Sequence, residues 1–271
     1  MPALERSTDP VVIVTRPAPD AQRWVAQLQQ RGISAEALPL IEIARLPDLT
    51  AARAAWSYLE HYAAVMFVSG NAVEHFFAAK RTGAEPPALD LAALSHVRFM
   101  APGQGTAQVL MAQGVSAAQI DTPPADAAQF DSEALWQVIG QRDWTGLRVL
   151  IVRGQSGTSD AGAPGREWLA RQLENAGASV DFVAVYERRA PRFTEAQQRR
   201  IVASQRDGSV WLFSSSEALA HLPPAADWSQ ARAIATHARI AQAAQAAGWG
   251  VVIESRPALD DILASIELLH P

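Results

Sequence analysis

The sequence predicts an α/β protein made of two similar, doubly wound parallel-sheet domains. An internal repeat, a series of continuous β-branched runs each followed by a helical pattern, and the length of the chain lead to that prediction. RWVAQLQQRGISAEALPLIE (residues 23–42) lines up with WLARQLENAGASVDFVAVYE (residues 168–187) at a constant offset of 145. Gln27, Leu28, Gly32, Ser34 and Glu42 fall on Gln172, Leu173, Gly177, Ser179 and Glu187. FVSGNAVEHF from Phe67 matches FSSSEALAHL from Phe213 at an offset of 146, and RFMAPGQGTAQVLMAQG from Arg98 matches RAIATHARIAQAAQAAG from Arg232 at 134. Chance likeness among strand-helix units rich in Ala, Leu and Gln accounts for one such block. Three in the same order indicate a duplicated unit, and ligands favour the cleft that two such halves share.

The elements follow in order. VVIVT (residues 11–15) is a β-branched run, as expected for a strand buried on both faces of a parallel sheet. A helix over about residues 20–31 comes next and stops at Gly32, the usual C-terminal signal. AVMFV (64–68) leads into a turn at Ser69, and VRFMA (97–101) into a helix ending at Gly114. RVLIV (148–152) restarts the pattern, with a helix over 165–176 that ends at Gly177. SVWLF (209–213) leads to Ser214, and RAIA (232–235) to a helix ending at Gly248. Strands alternating with helices throughout mean a parallel sheet in each half.

With 271 residues the chain accommodates two domains of roughly 100–150 residues each. Apolar residues make up 49% and charged residues 19%, enough for two cores. A net charge of −5 argues against a general nucleic-acid binder, which needs a basic face. It does not exclude an anionic small molecule, which feels local arginines and backbone amides. Without cysteine there is no thiolate nucleophile, disulfide framework or zinc-thiolate site. No apolar run approaches the roughly 20 residues of a membrane helix, and MPALERSTDP lacks the character of a signal peptide. A cytoplasmic protein without membrane association is therefore expected.

In sheets of this kind the ligand sits beyond the carboxyl ends of the strands. That rule selects Thr15-Arg16-Pro17, Ser69-Gly70-Asn71, Pro102 to Thr106 with Gly103, Arg153-Gly154, Ser214-Ser215-Ser216 and Thr236-His237-Ala238-Arg239. Small, hydroxyl and glycine residues there leave helix N-termini open to carboxylates or phosphates. Ser, Thr and Asn are also the preferred helix caps with no ligand at all. Arg16 and Arg153, set at strand ends, tilt the set toward an anion site.

Familiar motifs are missing. PGQGTA is not G-x-G-x-x-G and follows the third strand, which argues against a nicotinamide site. Neither a P-loop nor a G-x-S-x-G elbow occurs. The six histidines show no ligand spacing, and His75 and His221, equivalent in the repeat, read as surface or packing residues.

VTRPAPDAQRWVAQLQQRGISAEALPLIEI, FVSGNAV, PGQGTA, DSEAL (131–135), VLIVRG…GREWLARQLENAGASVDFVAVYERR and THARIAQAAQAAGWG resemble uroporphyrinogen-III synthase. The likeness spans about residues 11–269, and its most specific elements are the opening T-R-P, the R-G…G-R-E segment and the V-Y-E-R ending. It implies closure of the linear tetrapyrrole hydroxymethylbilane to uroporphyrinogen III, with inversion of the last ring and loss of water, using neither metal nor organic cofactor. It also implies two α/β domains joined by a two-stranded β connector, with the ligand cleft between them. The repeat alone suggests a single cut near Thr145. The resemblance instead assigns residues 1–38 with 191–271 to the first domain, 49–179 to the second, and 39–48 with 180–190 to the connector.

Such a substrate carries eight carboxylates and loses hydroxide from an electron-rich pyrrole. Catalysis would then rest on proximity and orientation, with one donor to help the hydroxyl leave. Tyr186, one of three tyrosines, matches the family tyrosine and is the expected catalytic donor facing the cleft; an ordinary connector-strand tyrosine is the plain alternative. The substrate-binding set is Thr15, Arg16, Ser69, Asn71, Gly103, Thr106, Arg153, Gly154, Ser214, Ser215 and Arg239. Two departures stand out. Ile240 replaces a threonine of some members, so no hydroxyl role carries over there. QSGTSDAGAP (155–164) is longer than typical, reading as a lid or as a tolerated surface insertion.

Expected partners are the small-molecule substrate and, in transient contact, hydroxymethylbilane synthase. A monomer is expected, because the repeat already supplies an internal pairing. The competing reading is a non-catalytic two-lobed binder of an anionic small molecule. Lack of a signal peptide opposes a periplasmic form, and retention of Tyr186, Thr15-Arg16 and Thr106 opposes a dead homologue. A chain end just past the last helix opposes a domain cut from a fusion.

Overall fold

Val12, Ile13 and Val14 are wholly shielded from solvent, as are all four residues of Val210–Phe213. Such continuous burial is what the β-branched runs require, and it places both segments inside a sheet covered on both faces. The structure, a computed structural model, describes residues 10–81, 91–156, 164–224 and 226–269.

Along the chain come β1 (Val12–Val14), α1 (Ala18–Gln30), β2 (Ala35–Ala37), β3 (Glu42–Arg45), α2 (Thr50–Ser57), β4 (Ala64–Phe67) and α3 (Gly70–Arg81). Next are β5 (Arg98–Met100), α4 (Gln104–Ala112), β6 (Ile120–Asp121), α5 (Ser132–Ile139), β7 (Arg148–Ser156) and α6 (Pro164–Asn175). The last third holds β8 (Ser179–Arg189), α7 (Glu195–Ala203), β9 (Val210–Phe213), α8 (Ser216–Ala220), β10 (Arg232–Ala235), α9 (Ala238–Ala246), β11 (Val251–Glu254) and α10 (Leu259–Leu269).

Two compact units result: Met1–Glu42 with Ala190–Pro271, and Ile43–Arg189. The first carries a parallel sheet in the order β11-β10-β9-β1-β2. The second carries β6-β5-β4-β7-β8-β3, parallel from β6 to β8. Read from that end the five strands of the first sheet match the first five of the second, with β7 standing where β1 stands and β3 as the extra edge strand. The repeat therefore does not divide at Thr145, since each half of the chain contributes its first strand to the other half's sheet.

Four helix ends repeat one motif. At Gly32, Gly114, Gly177 and Gly248 φ is +81°, +93°, +93° and +87°. Ile33 N–H donates to the Leu28 carbonyl at 3.1 Å, and Val115, Ala178 and Trp249 donate likewise to Leu110, Leu173 and Ala244. A left-handed glycine after the last turn, followed by an apolar residue bonded back to it, is the Schellman stop. Its recurrence at equivalent places supports duplication by a route independent of sequence identity.

In the first unit Val12, Val14, Leu28, Leu212, Ile262 and Ile266 share a core cluster. Trp211 and Phe213, alternate residues of β9, instead meet Trp249 edge-to-face, and Trp211 also meets Trp228 edge-to-face. In the second unit Val65, Phe67 and Phe99 pack with Trp56 and Phe76. Met66, Met100 and Ile151 pack with Leu135 and Leu169. The period of two along each strand thus feeds two separate apolar layers.

One boundary differs from expectation. The strand begun by RVLIV does not stop at Val152 but runs to Ser156, because β8 continues beside it as a partner as far as Arg188. Arg153 therefore lies within a strand, opposite Ala184, and a bulge separates it from Gly154. The segments read as connector strands are neighbours, β3 lying beside β8, and β8 is also a full member of the six-stranded sheet. Of the stretch 155–164, residues 157–163 lie outside the described residues.

Candidate active site

Parallel strands put their carboxyl ends on one edge, so each sheet gathers its own set of strand-end residues. In the first unit that set is Thr15, Arg16, Ser214, Ser215 and Arg239; in the second it is Ser69, Asn71, Gly103, Thr106 and, from the long strand pair, Arg153, Gly154 and Tyr186.

Tyr186 has the most defined surroundings. It is 3% exposed, and its hydroxyl lies 3.2 Å from Ser69 Oγ. Ser69 precedes α3 and accepts a hydrogen bond from Ala72 N–H at 3.3 Å, as a helix cap does. Either hydroxyl can donate in this pair; with the serine as donor, the phenol proton is left for a third group. His75, one turn and a half along α3, sets its ring 5.5 Å from the Tyr186 ring. Burial holds His75 below the ordinary imidazole value of 6.5, so it is a neutral ring at pH 7. The sequence marked His75 as a surface or packing residue, and its ring packs beside that of Tyr186. Gly154 faces Tyr186 across the β7–β8 ladder.

Arg16 stacks over Trp24 with its guanidinium carbon 4.7 Å from the ring centroid, and pairs with Asp20 at 2.8 Å. Its Nε is buried and makes no hydrogen bond among the described residues. Arg153 lies over Phe182 at 5.1 Å. Thr15 is structural as it stands, donating its hydroxyl to the Leu212 carbonyl at 2.8 Å. Ser215 caps α8 through Glu217 N–H. Its neighbour Ser214 has a buried hydroxyl with no partner among the described residues. Gly103 opens α4, where an added Cβ would sit 3.2 Å from Phe130 Cβ. Thr106 is buried in the first turn of α4, Asn71 is half-buried, and the Arg239 side chain is exposed.

Two features carried no signal in the sequence. Asp121, at the end of β6, accepts hydrogen bonds from both Arg98 and Arg142, distances 2.5–3.1 Å. Burial pushes its carboxyl up, but the two arginines outweigh that and hold it below 3.8. An open groove of about 460 Å³ in the second unit is lined by Tyr58, Tyr62, Arg148, Asp181 and Phe182. Its strand residues come from the amino halves of β7 and β8, and Tyr62 there donates to Asp181 at 2.9 Å.

Among the described residues no helix is long and apolar enough to cross a membrane. The strand-end sets gather hydroxyls, helix N-termini and arginines, groups whose chemistry suits anionic ligands.

Comparison with known proteins gives a consistent answer. The family model described as Uroporphyrinogen-III synthase HemD matches residues 22–264. A uroporphyrinogen-III synthase of Synechococcus elongatus is 30% identical over 184 residues, which is 66% of this chain and 61% of that protein. One from Chlorobaculum parvum is 33% identical over 148 residues, 53% of this chain and 52% of its own length. The chain thus matches between half and two thirds of the length of these relatives. Among solved structures, uroporphyrinogen-III synthetase from Helicobacter pylori superposes with a TM-score of 0.58 at 18% identity, covering 97% of this chain and 100% of that one. A mutant uroporphyrinogen III synthase from Thermus thermophilus gives 0.57 at 14%, covering 96% and 98%. At such identities the structures speak to the fold alone.

Proposed function

This chain belongs to the uroporphyrinogen-III synthase family, and from that premise we propose that it closes hydroxymethylbilane to uroporphyrinogen III with loss of water. The observation that carries the reading is the hydroxyl chain from Ala72 N–H through Ser69 to Tyr186 at a carboxyl edge of parallel strands.

In this reading the bond between the terminal carbon and its hydroxyl breaks with the electron pair going to oxygen, and the adjoining pyrrole stabilises the cation left behind. Tyr186 hydrogen-bonds the departing oxygen, and the proton lost from the last ring on closure completes the water. A phenol suits the task because it donates while neutral at pH 7. Ser69 polarises it from behind, with the N-terminal amides of α3 adding positive potential. Thr15, Arg16, Ser69, Asn71, Gly103, Thr106, Arg153, Ser214, Ser215 and Arg239 hold substrate carboxylates or supply the dipoles that do. Regiochemistry then comes from holding a flexible chain so that its last ring attacks through the substituted carbon; the old bridge bond at that carbon breaks and re-forms at the ring's free α-carbon, whose proton is the one lost.

The domain reading accompanies it: residues 1–38 with 191–271, residues 49–179, and connector strands at 39–48 and 180–190. The two units of Met1–Glu42 with Ala190–Pro271 and Ile43–Arg189 support those boundaries. The proposal also includes a cytoplasmic monomer that meets hydroxymethylbilane synthase transiently. Incubation with hydroxymethylbilane and separation of product isomers tests it. Isomer III is expected; isomer I alone, at the rate seen without protein, would overturn the assignment.

A further inference from the structure

We infer that Gly154 serves the reaction through Tyr186, as the residue whose missing side chain seats the phenol, and is not itself a substrate contact. The inference rests on the reading of Tyr186 as the donor.

Gly154 and Tyr186 are level in the β7–β8 ladder, immediately after the bulge at Arg153. A Cβ on Gly154 would come within 2.8 Å of Tyr186 Cδ2 and closer still to Cε2 and Cζ. Those carbons belong to a ring whose hydroxyl is tied to Ser69 and whose side is packed by His75, so a displaced ring would disturb both contacts. Backbone conformation gives no other reason for the glycine. Gly154 is not among the glycines with positive φ, so its backbone is open to any L-residue. A strand interior disfavours glycine, and one found there marks a close approach by something else. Here that something is the phenol.

The duplicated half supplies a natural contrast. The 145-residue offset of the repeat places Ile41 where Tyr186 stands. Val12 pairs with Val210 as Val149 pairs with Ala64, which puts Pro17 at the position of Gly154. Where the ring is absent, the Cβ is present. Glycine and tyrosine go together in one unit, and both are replaced in the other.

The experiment is Gly154→Ala, followed in two ways. Steady-state kinetics of hydroxymethylbilane cyclisation should show kcat reduced about 100-fold, the cost typical of a misplacement near 1 Å, with KM little changed. In a Tyr186→Phe background the same substitution should cost almost nothing further. Labelling with [ζ-13C]tyrosine gives one NMR signal for each of the three tyrosines. Only the one assigned to Tyr186 should move in Gly154→Ala. Unchanged kcat, a rise in KM alone, an equal loss in the Tyr186→Phe background, or an unmoved Tyr186 signal would each overturn the inference. If Gly154→Ala does not fold, Gly154→Ala/Tyr186→Ala should, since nothing then occupies the place of the new Cβ; failure of that pair would also overturn it. Wild-type protein that makes no isomer III would sink the functional reading, while the NMR arm still decides the seat.

Discussion

Arg16 and Arg153 occupy the same position in their respective sheets. Val14 is level with Leu212 in the first and Ile151 with Met66 in the second, and Leu212 and Met66 are equivalents 146 residues apart. Two residues beyond Val14 and Ile151 come the arginines, each lying over an aromatic ring, at 4.7 and 5.1 Å. Stacking fixes the plane of a guanidinium in advance, and Arg16 also holds Asp20 at 2.8 Å. Each unit thus carries one arginine stacked on an aromatic ring at the equivalent position.

Loss of a charge-assisted hydrogen bond costs about 1.5–3 kcal/mol, or roughly ten- to a hundredfold in affinity. Arg16→Ala should therefore raise KM for hydroxymethylbilane by that factor with kcat changed little. Arg16→Lys should recover only part, because an ammonium lacks the planar fork and stacks poorly on Trp24. Kinetics of the two variants check this, and an unchanged KM in both would remove Arg16 from the binding set.

Ser69 and Tyr186 should prove coupled. Tyr186→Phe deletes the donor to the leaving oxygen and should lower kcat about 10²–10⁴-fold. Ser69→Ala removes one hydrogen bond behind it, about 0.5–1.5 kcal/mol, or up to roughly tenfold. If the serine works only through the phenol, the double variant should match Tyr186→Phe alone. Additive losses would mean that Ser69 binds substrate directly.

Much of this was legible in the sequence, for identifiable reasons. The β-branched runs, the four glycine stops and the repeat each report a local requirement, and all of them reappear as strands, Schellman ends and matching sheets. Tyr186, Ser69 and Gly154 were nameable as candidates, but the sequence set all three side by side as independent contacts. Their mutual arrangement depends on the β7–β8 register and on a bulge, which no periodicity encodes. Arg153 was read as a strand end because the apolar run stops there, whereas the strand itself continues on hydrogen bonds to β8. The meeting of Arg98, Asp121 and Arg142 is invisible in one dimension, since the three charges lie scattered on separate elements.

That triad should govern acid stability of the second unit. The folded-state pKa of Asp121 lies below its ordinary 3.8, held there by Arg142 and Arg98 against the opposing effect of burial. A carboxyl with a depressed folded pKa contributes fully above its unfolded value and loses that contribution as pH falls through the folded one. The triad's share should thus be intact at pH 5 and above, and fade below pH 3.8. Asp121→Asn should destabilise by about 1–3 kcal/mol at pH 7, less than for a wholly buried pair because both arginines are about a third exposed. The gap between variant and wild type should narrow in acid. Urea titrations at pH 7 and pH 3 would show it, and a gap independent of pH would refute the assignment.

Ser214 and Ser215 are adjacent yet should respond in opposite directions. Ser215 Oγ caps α8 by accepting Glu217 N–H at 3.2 Å. Ser215→Ala should cost about 1 kcal/mol of stability. Ser214 Oγ is buried and unbonded among the described residues, and a buried hydroxyl without a partner is itself a cost. Ser214→Ala removes that cost and should raise the melting temperature, by roughly 2–4 °C per kcal/mol recovered. In the proposed function the same hydroxyl meets its partner only when substrate binds, so KM should rise while stability improves. Functional sites trade stability in this manner. Scanning calorimetry and cyclisation kinetics on the two alanine variants separate the roles. A Ser214→Ala protein that melts lower than wild type would show that its hydroxyl is bonded in solution and withdraw it from the substrate set.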